Sequence, residues 1–273
     1  MLCGQYLIKD LINILNDENS PYKKILVVHG GGKNVDKELD RRGIFYEKIS
    51  SRSGIESRYT PKEVRDVYVE VMRNIEQHLL EKMREERINA YGFKPEETPV
   101  MANRKKDIVY VDKKTGKRIM KHDDYSGGMR EDENTITNIR NKLRELFEEY
   151  DVIIFPPVGI DEEAGPLNIN GDKMAAYLSG CVNSPTIVDL TDVEGIQKGG
   201  KLIQRVAFIG ELDSLLEDKE VEGGMRRKVL EAKQAFERYN PHNLNRFIIA
   251  SGKRKNPITL ALKEEGCTVI YRP

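Results

Sequence analysis

Four apolar residues, Ile25-Leu26-Val27-Val28, run straight into His29 and three successive glycines, Gly30-Gly31-Gly32. Such a run reads as a buried strand, and Lys33 to Arg42 reads as a helix. The glycines therefore occupy a strand-to-helix turn. There the backbone can approach a ligand closely, and several N–H groups can converge on one anion. The turn suits a phosphate or a developing oxyanion. A turn made of glycine for steric reasons alone is the plainer alternative, but three in a row exceed what a turn needs.

The alternation of strand and helix continues along the chain. Apolar spacing predicts a helix over 6–16 and a strand over 24–28. Thr60 as N-cap, Pro61 and Glu63 open a long helix that runs to about Glu86. Its stripe Val64, Tyr68, Val71, Ile75 and Leu79 suits either a dimer interface or packing on a sheet. Residues 107–121 read as a β-hairpin around Lys113-Lys114-Thr115-Gly116. Helices are predicted over 131–149, 172–181, 222–239 and 257–265, and strands over 151–155, 186–190, 246–250 and 268–271. This pattern predicts a three-layer α/β/α open sandwich with a mainly parallel central sheet. The 273 residues can form two lobes, expected at 1–165 and 166–273, on one continuous sheet.

Lysine and arginine number 45 and are balanced by 45 acidic residues, so no global field points to nucleic acid. No apolar run reaches membrane-spanning length, and the N-terminus lacks a signal-peptide pattern. A cytoplasmic protein with neither nucleic acid nor membrane as partner is expected. Cys3, Cys181 and Cys267 are odd in number and scattered, which argues against a disulfide framework or a zinc knuckle.

Several motifs admit a chemical and a plain reading. An esterase oxyanion loop would need a G-x-S-x-G elbow, and no serine has glycine two residues before it. Asn168 and Asp172, in Leu167-Asn168-Ile169-Asn170-Gly171-Asp172, bracket a helix start; Asp172 is either a simple N-cap or an organiser of a charged site. Asp192, in Thr191-Asp192-Val193-Glu194-Gly195-Ile196, follows a strand end, where open α/β sheets bind ligands, or it starts a turn. Gly223-Gly224-Met225-Arg226-Arg227-Lys228 opens a helix; Lys228 is a cation for a phosphoryl group or part of a solvated basic end.

Taken in order, VVHGGG, GIESRYT, LNINGD, LTDVEG, GGMRRK and NPITLAL resemble the amino acid kinase family, from about Ile25 to the C-terminus. The acetylglutamate kinase-like branch is closest, and within it the kinases of glutamate or aminoadipate attached to a small acidic amino-group carrier protein. Ser57 to Thr60, Asn103 to Lys106, His122 to Gly127 and Asn256 to Val269 point to that carrier-linked branch. The resemblance implies ATP-dependent phosphorylation of a side-chain carboxylate in lysine or arginine biosynthesis. It implies that Gly31 and Gly32 give N–H groups to the acceptor carboxylate, and that Arg58 and Asn168 bind its other polar groups. Asp172 would organise the charges, Asp192, Val193, Glu194, Gly195 and Ile196 would contact ATP, and Lys228 would stabilise the transition state. Residues 1–165 would be the acceptor lobe and 166–273 the ATP lobe, with Mg2+ held mainly by the nucleotide phosphates and no metal ligand from the protein. A homodimer is expected. Arg104, Lys105, Lys106, Lys113, Lys114, Lys117, Arg118 and Lys121 concentrate positive charge at the hairpin, which would steer an acidic carrier.

Two departures stand against that resemblance. The family's opening strand with Lys-x-Gly-Gly has no counterpart before the helix at 6–16, so a first strand and a second cation are expected to be missing. The alternatives to carrier-linked action are therefore a kinase of free N-acetylglutamate and a truncated, non-catalytic homologue that binds nucleotide or carrier. At Phe93 to Pro99, two prolines and an acidic pair replace a glycine- and aspartate-rich loop.

Overall fold

The computed structural model describes residues 2–50, 56–111 and 115–273, with side chains from residue 6 onward. Gly54, Ile55, Lys113 and Lys114, singled out above, and the side chain of Cys3 lie outside that description. The chain forms two compact units. One comprises Leu26–Arg84 and Asn89–Met174, the other Met1–Ile25, Glu85–Ile88 and Ala175–Pro273.

In the first unit, the strand Val152–Phe155 is buried along its whole length, as a continuous apolar run covered on both faces must be. It lies between Ile25–Val28 and Ala90–Gly92, and pairs with the latter in parallel. The helix Lys62–Glu85 runs beside them, with Val64, Val67, Tyr68, Val71, Met72, Leu79 and Met83 buried at helical spacing. Its stripe packs on Val35 and Leu39 of the helix Gly32–Arg42 and on Val158. The apolar surface that could have served a dimer is thus consumed within the unit, and the helix gives no support to the expected homodimer. Thr60 does not cap this helix through its hydroxyl. That hydroxyl donates to the Arg58 carbonyl at 3.0 Å and accepts from the Asn168 amide at 3.0 Å. At Phe93 to Pro99 the chain makes a turn closed by Glu97 N–H on the Lys94 carbonyl and pinned by an Arg73–Glu96 ion pair.

The second unit holds a four-stranded sheet in the order Thr186–Thr191, Arg246–Ser251, Cys267–Tyr271 and Arg205–Ala207. The first pair is parallel, with Thr191 opposite Ser251; the second is antiparallel and the third parallel. The helix Gly223–Gln234 continues into a π-helical turn, Ala235–Tyr239, where sequence spacing predicts one helix. Ile187, Phe247 and Ile249 of the sheet, Val229 and Ala232 of this helix and Phe236 of the turn share one core.

Among the described residues the strands pair in one three-stranded, one four-stranded and five two-stranded sheets, and the chain passes between the two units at Met174 and Ala175. The N-terminal segment belongs with the C-terminal unit. Buried Asp10, on the helix Leu2–Asn16, accounts for this. Its carboxylate accepts from the N–H groups of Ile258 and Thr259 at 2.6 and 2.9 Å and from the Thr259 hydroxyl. It is the cap of the helix Pro257–Leu262, supplied from the other end of the chain. Asp10→Ala leaves those part-buried donors unpaired. It is expected to lower the unfolding free energy by about 1–3 kcal/mol, measured by urea denaturation.

Candidate functional site

The glycine turn sits where the sequence places it, between the strand Ile25–Val28 and the helix Gly32–Arg42. Its three glycines differ in what they require. A Cβ on Gly31 would press on the side-chain ends of Met72 and Ile75, which would have to shift to admit it. A Cβ on Gly30 would meet nothing within 4 Å, and one on Gly32 would only reach the Arg58 guanidinium at 4.0 Å. None of the three has a left-handed backbone. Gly30 and Gly32 are therefore glycines that neither packing nor conformation needs, and both face open space.

His29 enters this turn from the strand. Its N–H donates to the Phe155 carbonyl at 3.2 Å, and its Nδ1 lies 3.3 Å from the Gly30 carbonyl. That contact selects the tautomer with hydrogen on Nδ1. The ring is 7% exposed, and Nε2 has no hydrogen-bond partner. Burial pushes its pKa from 6.5 down to about 4.

Arg58 also meets the turn. Its Nη2 donates to the Gly32 carbonyl at 2.8 Å, and its charge is answered by Asp36 at 2.5 Å. Burial works to raise the Asp36 pKa, but hydrogen bonds from Lys48 and Arg58 hold the carboxyl below its ordinary value. Arg58 thus braces the first turn of the helix from its carbonyl side. Asn168 stands at the end of the strand Gly165–Asn168, its amide on Thr60. Asp172 lies in the first turn of the helix Gly171–Cys181. The capping there falls to Asn170, whose Oδ1 accepts from Lys173 N–H at 2.9 Å, so the plain N-cap reading of Asp172 is excluded.

In the other unit, the loop after the strand Thr186–Thr191 lies beside the loop after Arg246–Ser251. Gly252 N–H donates to the Thr191 carbonyl at 2.8 Å, and the Lys253 ammonium lies 4.0 Å from Asp192. Both loops leave the carboxyl ends of parallel strands, the ligand-binding edge of such sheets. Asp192, Val193 and Glu194 are exposed. Gly195 and Ile196, which the resemblance also places against ATP, are buried. A Cβ on Gly195 would lie 2.9 Å from the Thr268 nitrogen, and Ile196 is fully buried with its N–H on the Thr268 hydroxyl. They anchor the loop to the sheet. Lys228 lies in the helix Gly223–Gln234, its ammonium 2.8 and 2.9 Å from the two oxygens of Asp189. Asp189 and Lys253 escape the motif reading. A carboxylate inside the otherwise apolar stretch Ile187-Val188-Asp189-Leu190 was the signal available for the first.

The basic hairpin forms from Ile108–Val111 and Arg118–Lys121, with Val109 opposite Met120. Arg104 does not project from it: its guanidinium lies 3.6 Å from the Tyr125 ring centre. Lys121 is paired with Glu47 and lies over Tyr59. Lys105, Lys106, Lys117 and Arg118 are exposed, together with Val109 and Met120.

His29 gives this site a pH signature. Its proton affinity is lower when folded, so its stability contribution is complete above pH 6.5 and is lost as the pH falls towards about 4. At about 1.4 kcal/mol per pH unit, the loss reaches about 3 kcal/mol at the bottom of that window. His29→Asn is expected to flatten the decline in unfolding free energy between pH 6.5 and 4.5, read from urea midpoints.

The comparisons with known proteins agree with this architecture. The model of the amino acid kinase family matches residues 3–245. A [LysW]-aminoadipate/[LysW]-glutamate kinase of Saccharolobus islandicus (strain Y.N.15.51 / Yellowstone #2) is 34% identical over 269 residues, covering 98% of this chain and 97% of that protein. Among solved structures, N-acetylglutamate synthase from Neisseria gonorrhoeae complexed with coenzyme A and N-acetyl-glutamate aligns with a TM-score of 0.75 at 16% identity. That alignment covers 99% of this chain and 56% of that one. Carbamate kinase from Giardia lamblia bound to AMP-PNP aligns with a TM-score of 0.59 at 14% identity, covering 99% of this chain and 91% of that one. The chain belongs to the amino acid kinase family, shares its α/β fold, and is a phosphotransferase.

Proposed function

We propose that this kinase uses ATP to phosphorylate the side-chain carboxylate of aminoadipate or glutamate carried on a small acidic protein, giving an acyl phosphate. The observation that carries the reading is the pair Gly30 and Gly32, glycine without packing or conformational need and open to a ligand. Gly31 and Gly32 present N–H groups to the acceptor carboxylate at the start of a helix, where its dipole favours an anion. Arg58 and Asn168 bind the acceptor's remaining polar groups, and Asp172 organises the charges. Asp192, Val193 and Glu194 contact ATP, and Lys228 stabilises the transferring phosphoryl group. Phosphoryl transfer asks little covalent chemistry of a protein, mainly alignment and charge neutralisation, and these residues supply both.

The described residues contain no cluster of three or more His, Cys, Asp or Glu that could cage a metal ion. Magnesium in this reading arrives on the nucleotide's phosphates, where it neutralises charge. No described helix is long and apolar enough to cross a membrane. The carrier is the feature that distinguishes this reading from action on free N-acetylglutamate. Its docking surface is the hairpin and its approach, where Lys105, Lys106, Lys117 and Arg118 are exposed together with Val109 and Met120. The name of the Saccharolobus relative, a [LysW]-aminoadipate/[LysW]-glutamate kinase, supports a carrier-linked acceptor.

The test offers MgATP with carrier-bound aminoadipate, carrier-bound glutamate or free N-acetylglutamate, trapping acyl phosphate with hydroxylamine. Product from a carrier-bound acceptor is expected. Turnover on the free amino acid alone, or AMP-PNP binding without turnover on any acceptor, would sink the proposal. A second prediction concerns the hairpin. Lys117→Glu with Arg118→Glu is expected to raise KM for the carrier-bound acceptor about tenfold at low salt and less at high salt, with kcat unchanged.

A further inference from the structure

Lys228 and Asp189 form a close ion pair inside one unit, and it arises directly from the strand's pleat. Ile187, Asp189 and Thr191 share a face of the strand Thr186–Thr191. Ile187 packs in the core that Val229 and Ala232 of the helix Gly223–Gln234 also enter. That face therefore meets the helix, and Asp189 stands on it where Lys228 comes down. The two side chains are 15% and 10% exposed for Lys228 and Asp189 respectively, and both carboxylate oxygens lie within 2.9 Å of the ammonium. Three residues beyond Asp189, the same strand delivers Asp192 to the nucleotide loop.

We propose that Asp189 is the positioning residue for Lys228: it fixes where the ammonium stands and offsets part of its charge before the reaction begins. The proposal rests on the reading of Lys228 as the cation at the transferring phosphoryl group. A lysine stem is long and flexible, so an untethered ammonium must be ordered at each turnover. A tethered one is preorganised, and preorganised charge acts on the transition state. Pairing with a carboxylate also weakens the ammonium's attraction for the phosphates of bound ATP. Attraction shared equally by ground and transition states lowers KM without raising kcat. Asp189 thus trades ground-state affinity for rate.

The experiment measures kcat and KM for ATP, using carrier-bound aminoadipate as acceptor, with AMP-PNP affinity by calorimetry. Asp189→Asn keeps the shape and removes the charge. It is expected to lower kcat about tenfold while KM for ATP and the AMP-PNP Kd fall several-fold. Asp189→Glu keeps the charge but moves it by one methylene, and is expected to lower kcat with KM for ATP unchanged. A merely structural ion pair would lower the melting temperature and kcat together, with KM for ATP unchanged or raised in Asp189→Asn; that pattern overturns the proposal. Lys228→Ala separates the two levels of inference. If it abolishes turnover while Asp189→Asn leaves kcat and AMP-PNP affinity at wild-type values, only the positioning role fails. If Lys228→Ala retains full kcat, the reading of Lys228 fails and Asp189 falls with it.

Discussion

The side-chain ends of Met72 and Ile75 pack against Gly31, and a side chain there would have to displace them. The helix that carries both is fixed by Val64, Tyr68, Val71 and Met72 packing against Val35 and Leu39. Those two belong to the helix that Gly31 and Gly32 begin. The turn is therefore clamped from below by one helix and continued by another that shares the same core. Interiors packed this closely transmit small volume changes rather than absorbing them. The open approach at Gly30 and Gly32 depends on that clamp, because backbone N–H groups serve an anion only when their direction is fixed. His29 adds to the fixing. Its Nδ1 contact holds the Gly30 carbonyl, and within one planar peptide that orients the Gly31 N–H in the opposite direction.

Charge is placed with the same economy. Asp10, Asp36 and Asp189 are each met by specific donors: two backbone N–H groups and a hydroxyl, an arginine and a lysine, and one lysine. A carboxylate so satisfied can stay ionised away from water. His29 and Glu76 follow the opposite course. Both are nearly inaccessible, and each keeps a polar atom without a partner. Burial lowers the pKa of the imidazole and raises that of the Glu76 carboxyl, so each is pushed towards its neutral form. Burial therefore works against the charged form of His29 and Glu76, where it meets no matching set of partners.

The long periodic elements were legible before the structure. The helix expected from Pro61 to about Glu86 runs from Lys62 to Glu85, and the strand expected over 246–250 covers Arg246–Ser251. The helix carries a clear 3.6-residue period, and the strand is a continuous apolar run that the structure buries from Phe247 onward. What escaped has a common physical origin. The three-residue strands Ala90–Gly92 and Ala102–Arg104 are too short for a period to show, and they exist because a partner strand pairs with them. The allegiance of the N-terminal helix depends on Asp10 meeting residues about 250 positions away, which local reading cannot find. At the site, glycine motifs revealed the turn, yet only the packing separated Gly31 from its neighbours. Likewise Gly195 and Ile196 belong to a motif whose first half faces solvent and whose second half is core.

The basic hairpin shows why a charge count overstates a surface. Sequence places eight cations there, but Arg104 spends its guanidinium on the Tyr125 ring and Lys121 is held by Glu47 and Tyr59. Lys106 faces Glu163 at 3.9 Å with both groups well exposed, a contact that contributes little in water. Exposed Lys105, Lys117 and Arg118 would act on an acidic partner at a distance and set encounter rates, and salt would screen them. Val109 and Met120, opposite each other on one face, act only at contact, where apolar area leaves water and slows dissociation. A partner recognised here needs both features, an acidic approach and an apolar contact, because steering without contact gives fast encounters that do not last.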